Sequence, residues 1–345
     1  MQASIEAWLL AAWQRRGVFA WLMRPLALVF EFIVKFRFAL FLLGYKRQYR
    51  LAVPVIVVGN IYLGGTGKTP LVMYLLQQLQ AAGFRPGVIS RGYGAAAERV
   101  IVLDDDALAE QVGDEPLLIA ARSGVPVAVG RDRVQVAQSL LAAHPEINIL
   151  VADDGLQHYY LARDVEIMLF DQRGAGNGWM LPSGPLREPL TRRRDFTVLN
   201  SAADATSAPG VPAEAWRMQL QAQALYQLSS PMQRLPLDCL KAERLWAAAG
   251  IGNPERFFSM LQQHGLLFSR LPLSDHHVFD AGSFAGLDAD CILITEKDAV
   301  KCREIPALKN DARIWVLPVE AQLDAGFATD LLQLISEKKH GRSLA

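Results

Sequence analysis

An apolar segment that leads directly into a glycine-rich loop constrains this chain more than any other feature. Val53–Val58 has the composition of a buried β-strand, and it is followed closely by Gly64-Gly65-Thr66-Gly67-Lys68-Thr69. Leucines at helical spacing begin just after Pro70. Strand, loop and helix therefore follow one another as they do in a phosphate-binding loop. In such a loop, backbone N–H groups surround the phosphates of a nucleoside triphosphate, and the helix N-terminus faces the same anion.

The predicted nucleotide-binding residues run from this loop into the helix. They are Tyr62, Leu63, Gly64, Gly65, Thr66, Gly67, Lys68 and Thr69. Lys68 is expected to reach the β- and γ-phosphates, and the Thr69 hydroxyl is expected to ligate Mg²⁺. Tyr62 stands where the usual motif has its first glycine, so the match is to the second half of the motif. A glycine-rich turn without a ligand is the alternative, which the strand–loop–helix context disfavours.

Length, charge and cysteine content limit the remaining possibilities. The 345 residues suggest about two domains, and an apolar content of 51% excludes a disordered chain. The formal net charge is zero, so the whole molecule is not a polyanion binder and no nucleic-acid partner is expected. Three scattered cysteines do not form a disulfide framework or a zinc site, and they fit a reducing compartment.

Residues 1–50 are both basic and strongly apolar. They hold eight basic and two acidic residues, a net charge of +6. At about 100° per residue, Arg24, Glu31 and Lys35 fall on one face of a helix, and no uncharged run reaches the ~20 residues of a spanning helix. The opposite face contains Leu26, Val29, Phe30, Ile33, Phe36, Leu40 and Leu43, with Arg37 at its edge. This pattern is typical of a helix at a membrane surface; packing on the protein's own domain is the alternative.

Strands and helices alternate through most of the remaining chain. Short apolar strands separated by helices predict a parallel sheet covered on both faces, with ligands at the carboxyl ends of its strands. The predicted fold class is α/β: a mostly parallel sheet of the P-loop type, a second smaller α/β domain and an N-terminal amphipathic helix. The predicted divisions are a helical segment at 1–50, the nucleotide-binding domain at 51–214, linker strands at 215–243 and the second domain at 244–345.

Two acidic sites are candidates for chemistry. Asp153 and Asp154 follow the apolar segment Ile147–Ala152, at a strand end where Mg²⁺ is expected downstream of a phosphate loop; a capped turn is the alternative. Asp114 opens a predicted helix. It is interpreted either as a helix N-cap or as a general base that removes a hydroxyl proton, and the sequence leaves both open.

Four further segments are candidates for the same site. Ser274-Asp275-His276-His277 lacks the partners of a zinc site, so a histidine that tunes a carboxylate and a plain surface loop remain as alternatives. In Leu181–Pro189, Arg187 suits an anion and Glu188 suits a metal or sugar hydroxyls. Ser90–Gly94 is predicted to be a mobile loop over the nucleotide or an ordinary crossover. Thr295–Lys301 either faces the cleft or caps a helix.

Together these segments resemble the tetraacyldisaccharide 4′-kinase (lipid A 4′-kinase) family. The resemblance rests on the glycine-rich loop, whose first glycine the family also lacks, and on segments in the same order along the chain. These are Ser90-Arg91-Gly92-Tyr93-Gly94, Gly113-Asp114-Glu115-Pro116, Asp153-Asp154-Gly155-Leu156-Gln157-His158, Gly184-Pro185-Leu186-Arg187-Glu188-Pro189, Asp275-His276-His277 and Thr295-Glu296-Lys297-Asp298.

The resemblance implies a kinase that uses ATP and Mg²⁺. It implies transfer of the γ-phosphate to the 4′-hydroxyl of a tetraacylated glucosamine disaccharide 1-phosphate, which forms lipid IV-A. By position, Asp114 is the general base, His276 its charge partner and Lys68 the group that neutralises phosphate. The implied magnesium ligands are Thr69, Asp153, Asp154 and Glu188. The implied substrate contacts are Gln157, His158, Arg187 and Arg131. Arg131 and Arg133 are the two candidates for binding the 1-phosphate.

The resemblance also implies a location and an architecture. It implies a peripheral enzyme on the cytoplasmic face of the bacterial inner membrane, without an obligate protein partner. It implies two α/β/α domains joined by a two-stranded linker, with the site in the cleft. The main alternative is a membrane-associated ATPase switch of the partition type, which carries Lys-Gly-Gly where this chain has Leu63-Gly64-Gly65. A nucleotide-dependent scaffold is the non-enzyme alternative, and it has no need of Asp114 or His276.

Overall fold

Two β-sheets organise the molecule. The computed structural model describes residues 8–92, 99–202 and 207–343. One sheet has nine strands and the other has six. Most neighbouring strands are parallel, and helices connect them, so the predicted α/β fold class with a second smaller domain is confirmed. Tyr93 and Gly94 of the predicted mobile loop lie outside the described residues.

The larger sheet belongs to the first domain. In chain order this domain contains α1 (Val18–Leu42), β1 (Val55–Gly59), α2 (Lys68–Ala81), β2 (Pro86–Ser90), β3 (Ile101–Val102), α3 (Ala109–Val112), α4 (Asp114–Ser123), β4 (Val127–Val129), α5 (Arg133–Ala143), β5 (Ile149–Asp153), β6 (Val165–Asp171), β7 (Phe196–Asn200) and β8 (Trp216–Ala222).

The smaller sheet belongs to the second domain. This domain contains β9 (Leu225–Gln227), β10 (Arg234–Leu235), a 3₁₀ turn (Leu237–Cys239), β11 (Leu245–Ala249), α6 (Pro254–Gln263), β12 (Ser269–Pro272), β13 (Cys291–Thr295), α7 (Glu296–Cys302), α8 (Pro306–Lys309) and β14 (Ile314–Leu317). Two elements follow it, β15 (Val319–Leu323) and α9 (Phe327–Ser343).

The order of the strands puts the glycine-rich loop at the centre of the larger sheet. That order is β15-β8-β7-β6-β1-β5-β2-β4-β3, and only the outermost pairs β15·β8 and β3·β4 are antiparallel. Strand β1 lies between β5 and β6, and all five of its residues are buried. Its carboxyl end therefore stands beside the carboxyl ends of its neighbours, where ligands collect in such sheets.

Apolar side chains cover both faces of the larger sheet. On one face, the leucines of α2 pack with β1 and β6 and with Phe327, Leu331 and Ile335 of α9. On the other face, the alternate residues of β1 pack with α5, and Phe30 and Val34 of α1 lie against this core. Strand residues therefore alternate between two hydrophobic cores, which is the reason for their continuously apolar sequence.

The C-terminal elements differ from the predicted domain division. The predicted second domain runs over 244–345, but β15 pairs antiparallel with β8 of the larger sheet, and α9 packs on that sheet. The predicted linker region also divides, because β8 joins the first sheet and β9 the second. The chain thus crosses between domains twice, after β8 and after β14, and the antiparallel pair β8·β15 forms the two-stranded link. The apolar stripe of α9 indicates burial, but its spacing carries no information about which sheet it covers.

The N-terminal helix α1 packs on the first domain by one side only. Ala20, Ala27 and Phe41 are buried, and Ser183 donates a hydrogen bond of 2.5 Å to the carbonyl of Ala20. Arg24 stacks on Trp179, and Arg37, predicted at the edge of the apolar face, stacks on Tyr159. The opposite side leaves large apolar residues more than half exposed, namely Leu22, Leu26, Val29, Phe32, Ile33 and Phe36. In the described part of the chain, no helix is long and apolar enough to cross a membrane.

Candidate active site

The backbone of the glycine-rich loop is fixed by the conformation of Gly67 and by hydrogen bonds from Asn60. Gly67 caps α2 in the left-handed region at φ 94°, which a residue with a side chain rarely adopts. Asn60 donates hydrogen bonds of 3.1 Å to the Gly64 carbonyl and of 3.1 Å to the Thr66 hydroxyl. The backbone N–H groups of the loop are thereby left to face an anion at the N-terminus of α2.

Tyr62 has a structural explanation for replacing the usual first glycine. Its φ is not positive, so no glycine is required at this position. Its buried side chain accepts a hydrogen bond of 2.8 Å from Gln14, and the guanidinium of Arg173 lies 4.5 Å from its ring centroid. Tyr62 therefore ties the start of the loop to the N-terminal segment.

Two arginines hold the loop from either side. Arg173 donates a hydrogen bond of 2.8 Å to the Gly65 carbonyl, and Asp171 neutralises it at 2.6 Å. Arg187 donates a hydrogen bond of 2.9 Å to the Asn60 carbonyl, and it donates another to the Asn60 side-chain oxygen. In the structure Arg187 supports the loop, and its predicted contact with substrate stays a prediction.

Lys68 and Asp154 meet at the carboxyl edge of the sheet. The Lys68 ammonium lies 3.5 Å from Asp154 Oδ1, and Arg187 approaches the same oxygen at 3.5 Å. Burial alone raises the pKa of Asp154, but Lys68 and Arg187 outweigh it and lower that pKa below its usual value. Asp154 adopts a φ of 49°, an uncommon conformation for a residue with a side chain. The carboxylate is therefore ionised and aimed at the phosphate loop.

Asp153 provides an oxygen suited to a metal ion. It is almost completely buried, and Ser90 donates a hydrogen bond of 3.3 Å to its Oδ2. Its Oδ1 has no hydrogen-bond partner among the described residues. Burial, and then the negative charge of Glu115, raise the pKa of Asp153 to about 7. A buried carboxylate oxygen without a partner beside Asp154 fits a divalent cation.

The donors present suit Mg²⁺ bound together with phosphate. No group of three or more His, Cys, Asp or Glu side chains that could hold a metal occurs in the described ranges. Mg²⁺ is commonly bound by one or two carboxylates with substrate phosphates and water. Asp153 and Asp154 are such a pair of carboxylates and fit the ion, and Thr69, in the first turn of α2, stays the predicted hydroxyl ligand.

The other residues predicted to contact substrate differ in burial and in their hydrogen-bond partners. Gln157 donates a hydrogen bond of 3.3 Å to the Asn60 carbonyl. Burial, with the charges of Arg133 and Arg91, lowers the pKa of His158 to about 4, so its imidazole is neutral. Arg131 is exposed. Arg133, the other candidate for the 1-phosphate, is buried and bonds the carbonyls of Gly130 and Asp153.

Glu188 lies in a separate buried network. Its Oε2 accepts a hydrogen bond from Arg192, which also bonds Glu166 at 2.8 Å. Its Oε1 has no hydrogen-bond partner in the described part of the chain. Glu188 is thus committed to Arg192 through one oxygen, and its role at a metal stays a prediction.

Asp114 is a buried carboxylate surrounded by cations of the second domain. His276 Nδ1 lies 3.2 Å from Asp114 Oδ2, and the ammonium groups of Lys301 and Lys297 lie 3.7 and 3.9 Å from the same oxygen. Burial raises the pKa of Asp114, but the hydrogen bond from His276 and the charge of Lys297 lower it below its usual value. The same hydrogen bond raises the pKa of His276. Asp114 is therefore ionised at neutral pH.

The two adjacent histidines have different environments. His276, at a φ of 56°, turns towards Asp114. The His277 ring instead packs edge-on against Phe279, and its carbonyl accepts a hydrogen bond of 3.0 Å from Lys301. Of the two, the structure brings His276 to Asp114.

Gly252 of the second domain lies between the phosphate loop and the residues around Asp114. Gly252 lies in the turn between β11 and α6, and a methyl group on it would stand 3.4 Å from the Gly65 nitrogen and 3.1 Å from Asp275 Oδ2. Lys297 bonds Asp275 at 3.4 Å and Glu115 at 3.1 Å. The phosphate loop and the Asp114 cluster therefore lie close together where the two domains meet, and this junction is called the cleft.

Sequence reasoning missed several residues of this cleft. Asn200, at the end of β7, donates a hydrogen bond of 2.9 Å to the Thr66 carbonyl, and Arg256 of α6 bonds Asn200 in turn. Arg173 was also missed. The position of Asn200 at the carboxyl end of a parallel strand was a usable signal. Arg173 and Arg256 carry no such signal in the sequence.

A model of the family described as "Tetraacyldisaccharide-1-P 4'-kinase" matches residues 19–336. Proteins called tetraacyldisaccharide 4′-kinase are similar over the full chain. The protein from Herminiimonas arsenicoxydans is 51% identical, over 100% of this chain and 98% of its own. The protein from Janthinobacterium sp. (strain Marseille) is 53% identical, over 100% and 99%.

A solved structure agrees with these comparisons. LpxK from Aquifex aeolicus, crystallised as the "apo" form in complex with ATP, superposes with a TM-score of 0.76 at 28% identity. The match covers 92% of this chain and 99% of that one. The similarity therefore includes both domains and the cleft between them, and the chain belongs to the tetraacyldisaccharide-1-P 4′-kinase family.

Proposed function

We propose that this kinase transfers the γ-phosphoryl group of ATP to the 4′-hydroxyl of a tetraacylated glucosamine disaccharide 1-phosphate, with Asp114 as general base. The observation that carries the proposal is the buried Asp114 carboxylate, bonded to His276 across a cleft that also holds the phosphate loop. The names of the relatives supply the substrate class.

The chemical step requires only weak activation of the hydroxyl by the base. The hydroxyl oxygen attacks the γ-phosphorus, the bond from that phosphorus to the β–γ bridging oxygen breaks, ADP leaves, and the hydroxyl proton passes to Asp114. The transition state of phosphoryl transfer is largely loose, so the nucleophile needs orientation more than strong activation. A carboxylate with a lowered pKa is sufficient for that purpose.

Charge neutralisation falls to the first domain. Lys68 would pair with the β- and γ-phosphates, and the backbone of the loop would hold their oxygens. Mg²⁺, when bound, would neutralise charge that develops on the phosphates, held by Thr69, Asp153 and Asp154. Asp154 already pairs with Lys68, so both groups lie where that charge arises.

His276 keeps Asp114 ionised and oriented. We expect His276→Gln to raise the pKa of Asp114, because His276 is the strongest of the groups that oppose the effect of burial. A raised pKa leaves the base protonated at higher pH. The acid limb of the profile of kcat/KM against pH should therefore move upward, with larger losses at about pH 6 than at about pH 8.

The matched control for this profile is His264→Gln. His264 is an exposed histidine that pairs with Asp238 at 3.0 Å, away from the cleft. Its replacement should leave the profile unchanged. An acid limb that stays in place in His276→Gln would contradict the assigned role of His276.

The exposed side of α1 would bring the cleft to an insoluble substrate. A lipid with four acyl chains stays in the bilayer, so its kinase must work at the membrane surface. The apolar side of α1 is exposed, with Arg37 at its edge stacked on Tyr159, while residues 1–50 carry a net charge of +6. These features support peripheral attachment to the cytoplasmic face of the inner membrane, with basic residues on anionic head groups.

Charges placed on that side should release the protein from vesicles. Ile33 and Phe36 are each 55% exposed. Burial of such side chains is worth about 1.5–3 kcal/mol each when complete, so Ile33→Glu with Phe36→Glu should lower vesicle partitioning on the order of 100-fold. Cosedimentation with anionic vesicles measures the effect.

An equal charge change elsewhere controls that experiment. Met232 and Leu267 of the second domain are 93% and 90% exposed. Their double replacement by Glu should leave partitioning close to that of the unchanged protein. Equal partitioning of the α1 variant and this control would exclude α1 as the attachment surface.

One assay tests the proposed function. Purified protein is incubated in detergent micelles with ATP labelled in its γ-phosphate, Mg²⁺ and tetraacyldisaccharide 1-phosphate. The label should appear in the lipid, in a monoester at the 4′ position. Hydrolysis of ATP without labelled lipid would refute the proposal.

A further inference from the structure

Arg256 brings a positive charge from the second domain to the rim of the phosphate loop. It lies in the first turn of α6, in the domain opposite the loop. A methyl group placed on Gly67 would stand 3.6 Å from its Nη1. Its Nη2 donates a hydrogen bond to the side chain of Asn200, which in turn holds the Thr66 carbonyl. The guanidinium therefore reaches the N-terminus of α2 from outside the first domain.

This guanidinium differs from the other cations at the loop. Arg173 is neutralised by Asp171, and Lys68 and Arg187 share Asp154. No carboxylate of the described chain lies within 4.0 Å of the Arg256 nitrogens. Burial lowers the pKa of Arg256, the negative charge of Asp171 offsets part of that effect, and the charge of Arg173 lowers the pKa further. Asp171 therefore acts on Arg256 only from beyond ion-pair distance, and an anion that contacts this partly buried guanidinium directly would stabilise it.

The hydrogen-bonding capacity of Arg256 is also incompletely used. A guanidinium has five N–H donors in a planar fork that matches phosphate oxygens. Within the described ranges, one side-chain hydrogen bond of Arg256 is present, the bond to Asn200. The remaining donors lie beside the loop at which a nucleoside triphosphate is expected.

We propose that Arg256 is a nucleotide-binding residue, supplied by the second domain, which donates hydrogen bonds to the phosphates of ATP. This inference rests on the proposed kinase function and adds a contact from the opposite wall of the cleft. The same contact would place the bound nucleotide next to the part of the second domain that holds Asp114. The turn that precedes Arg256 contains Gly252, which lies against both Gly65 and Asp275, the neighbour of His276.

The first test compares ATP affinity in matched variants of the full chain. Arg256→Gln removes the charge, and Arg256→Lys keeps the charge but loses the planar fork. Arg270→Gln is the control, since Arg270 is an exposed arginine of the same domain that pairs with Glu255 of α6 at 2.9 Å. Isothermal titration gives Kd for ATP, and steady-state assays give kcat and both KM values.

We expect Arg256→Gln to raise Kd and KM for ATP by about tenfold or more, because it loses a charge-assisted contact with phosphate. KM for the lipid should stay within about twofold of wild type. Arg256→Lys should fall between the two, and Arg270→Gln should behave as wild type. An ATP Kd within about twofold of wild type in Arg256→Gln overturns the proposal.

Thermal melting separates ligand binding from structural support. Without nucleotide, Arg256→Gln should melt within about 2 °C of wild type, and the rise on addition of ATP should shrink. A large fall without nucleotide, combined with a full rise with ATP, would assign Arg256 a structural role only and overturn the proposal.

Lys68→Ala in the same titration distinguishes the two proposals. If Lys68→Ala loses ATP binding and Arg256→Gln does not, the Arg256 contact fails while the kinase function stands. If ATP binding depends on Arg256 but the wild-type protein transfers no label to the lipid, the kinase function fails while the nucleotide contact stands.

Discussion

Replacement of Asp114 by Asn is expected to lower kcat by about 1,000-fold, the middle of the range for loss of a general base. The change keeps the shape of the side chain, and an amide oxygen can still accept the backbone hydrogen bond of 3.0 Å from Glu115. What it removes is the site for the hydroxyl proton and the negative charge beside His276. ATP affinity should stay within about twofold of wild type, because the phosphate loop is untouched.

Asp330→Asn is the matched control for Asp114→Asn. Asp330 is an exposed carboxylate in the first turn of α9, as Asp114 is in the first turn of α4. It should keep full activity. Melting curves of both variants check that the partly buried lysines around position 114 still pack. A normal kcat in a folded Asp114→Asn protein would remove Asp114 from the mechanism.

Replacement of Lys68 by Ala is the second large expected effect. Loss of a positive group that stabilises charge on the transferring phosphoryl typically costs about 100–1,000-fold in kcat. Here ATP affinity should also fall, which distinguishes this variant from Asp114→Asn. Asp154 keeps Arg187 at 3.5 Å when Lys68 is absent, so the carboxylate stays paired and the fold should be retained.

Lys309→Ala controls for the loss of a lysine charge. Lys309 is exposed in α8 of the second domain. Its removal should change neither ATP affinity, measured by titration, nor turnover, measured by label transfer. Lys68→Ala with wild-type turnover would mean that the glycine-rich loop does not serve the reaction.

The phosphate loop could be predicted because all its determinants are local. Val55–Gly59, the glycines and the buried leucines of α2 lie within one continuous segment, and the period of each element is visible in the sequence. For the same reason, the segments Val53–Val58 and Ile147–Ala152 agree to within two residues with the observed strands Val55–Gly59 and Ile149–Asp153. Tyr62 was harder, since its explanation lies in contacts with Gln14 and Arg173, which are distant in sequence.

The parts that escaped prediction depend on tertiary contacts. Spacing shows that Phe327 and Leu331 share a helix face, but only the fold shows that this face covers the larger sheet. Adjacent histidines have the same sequence environment, and the backbone turn at His276 decides which one meets Asp114. Arg256 and Asn200 belong to different domains, and no periodicity links them.

The proposed site is assembled from residues of both domains. In the proposed function, the first domain would supply the groups for the phosphates, and the second domain supplies the cations around Asp114. Neither domain alone contains both halves of the site. The chain passes between the domains beside the antiparallel pair β8·β15.

Single-turnover label transfer measures the proposed roles of Asp114 and Lys68 in one experiment. Wild type, Asp114→Asn and Lys68→Ala are each mixed in excess with γ-labelled ATP, Mg²⁺ and tetraacyldisaccharide 1-phosphate in micelles, and ATP binding is measured on the same samples. We expect rapid labelling at the 4′ position by wild type only, with ATP binding retained in Asp114→Asn and weakened in Lys68→Ala. Labelling by Asp114→Asn at the wild-type rate would contradict the proposed role of Asp114.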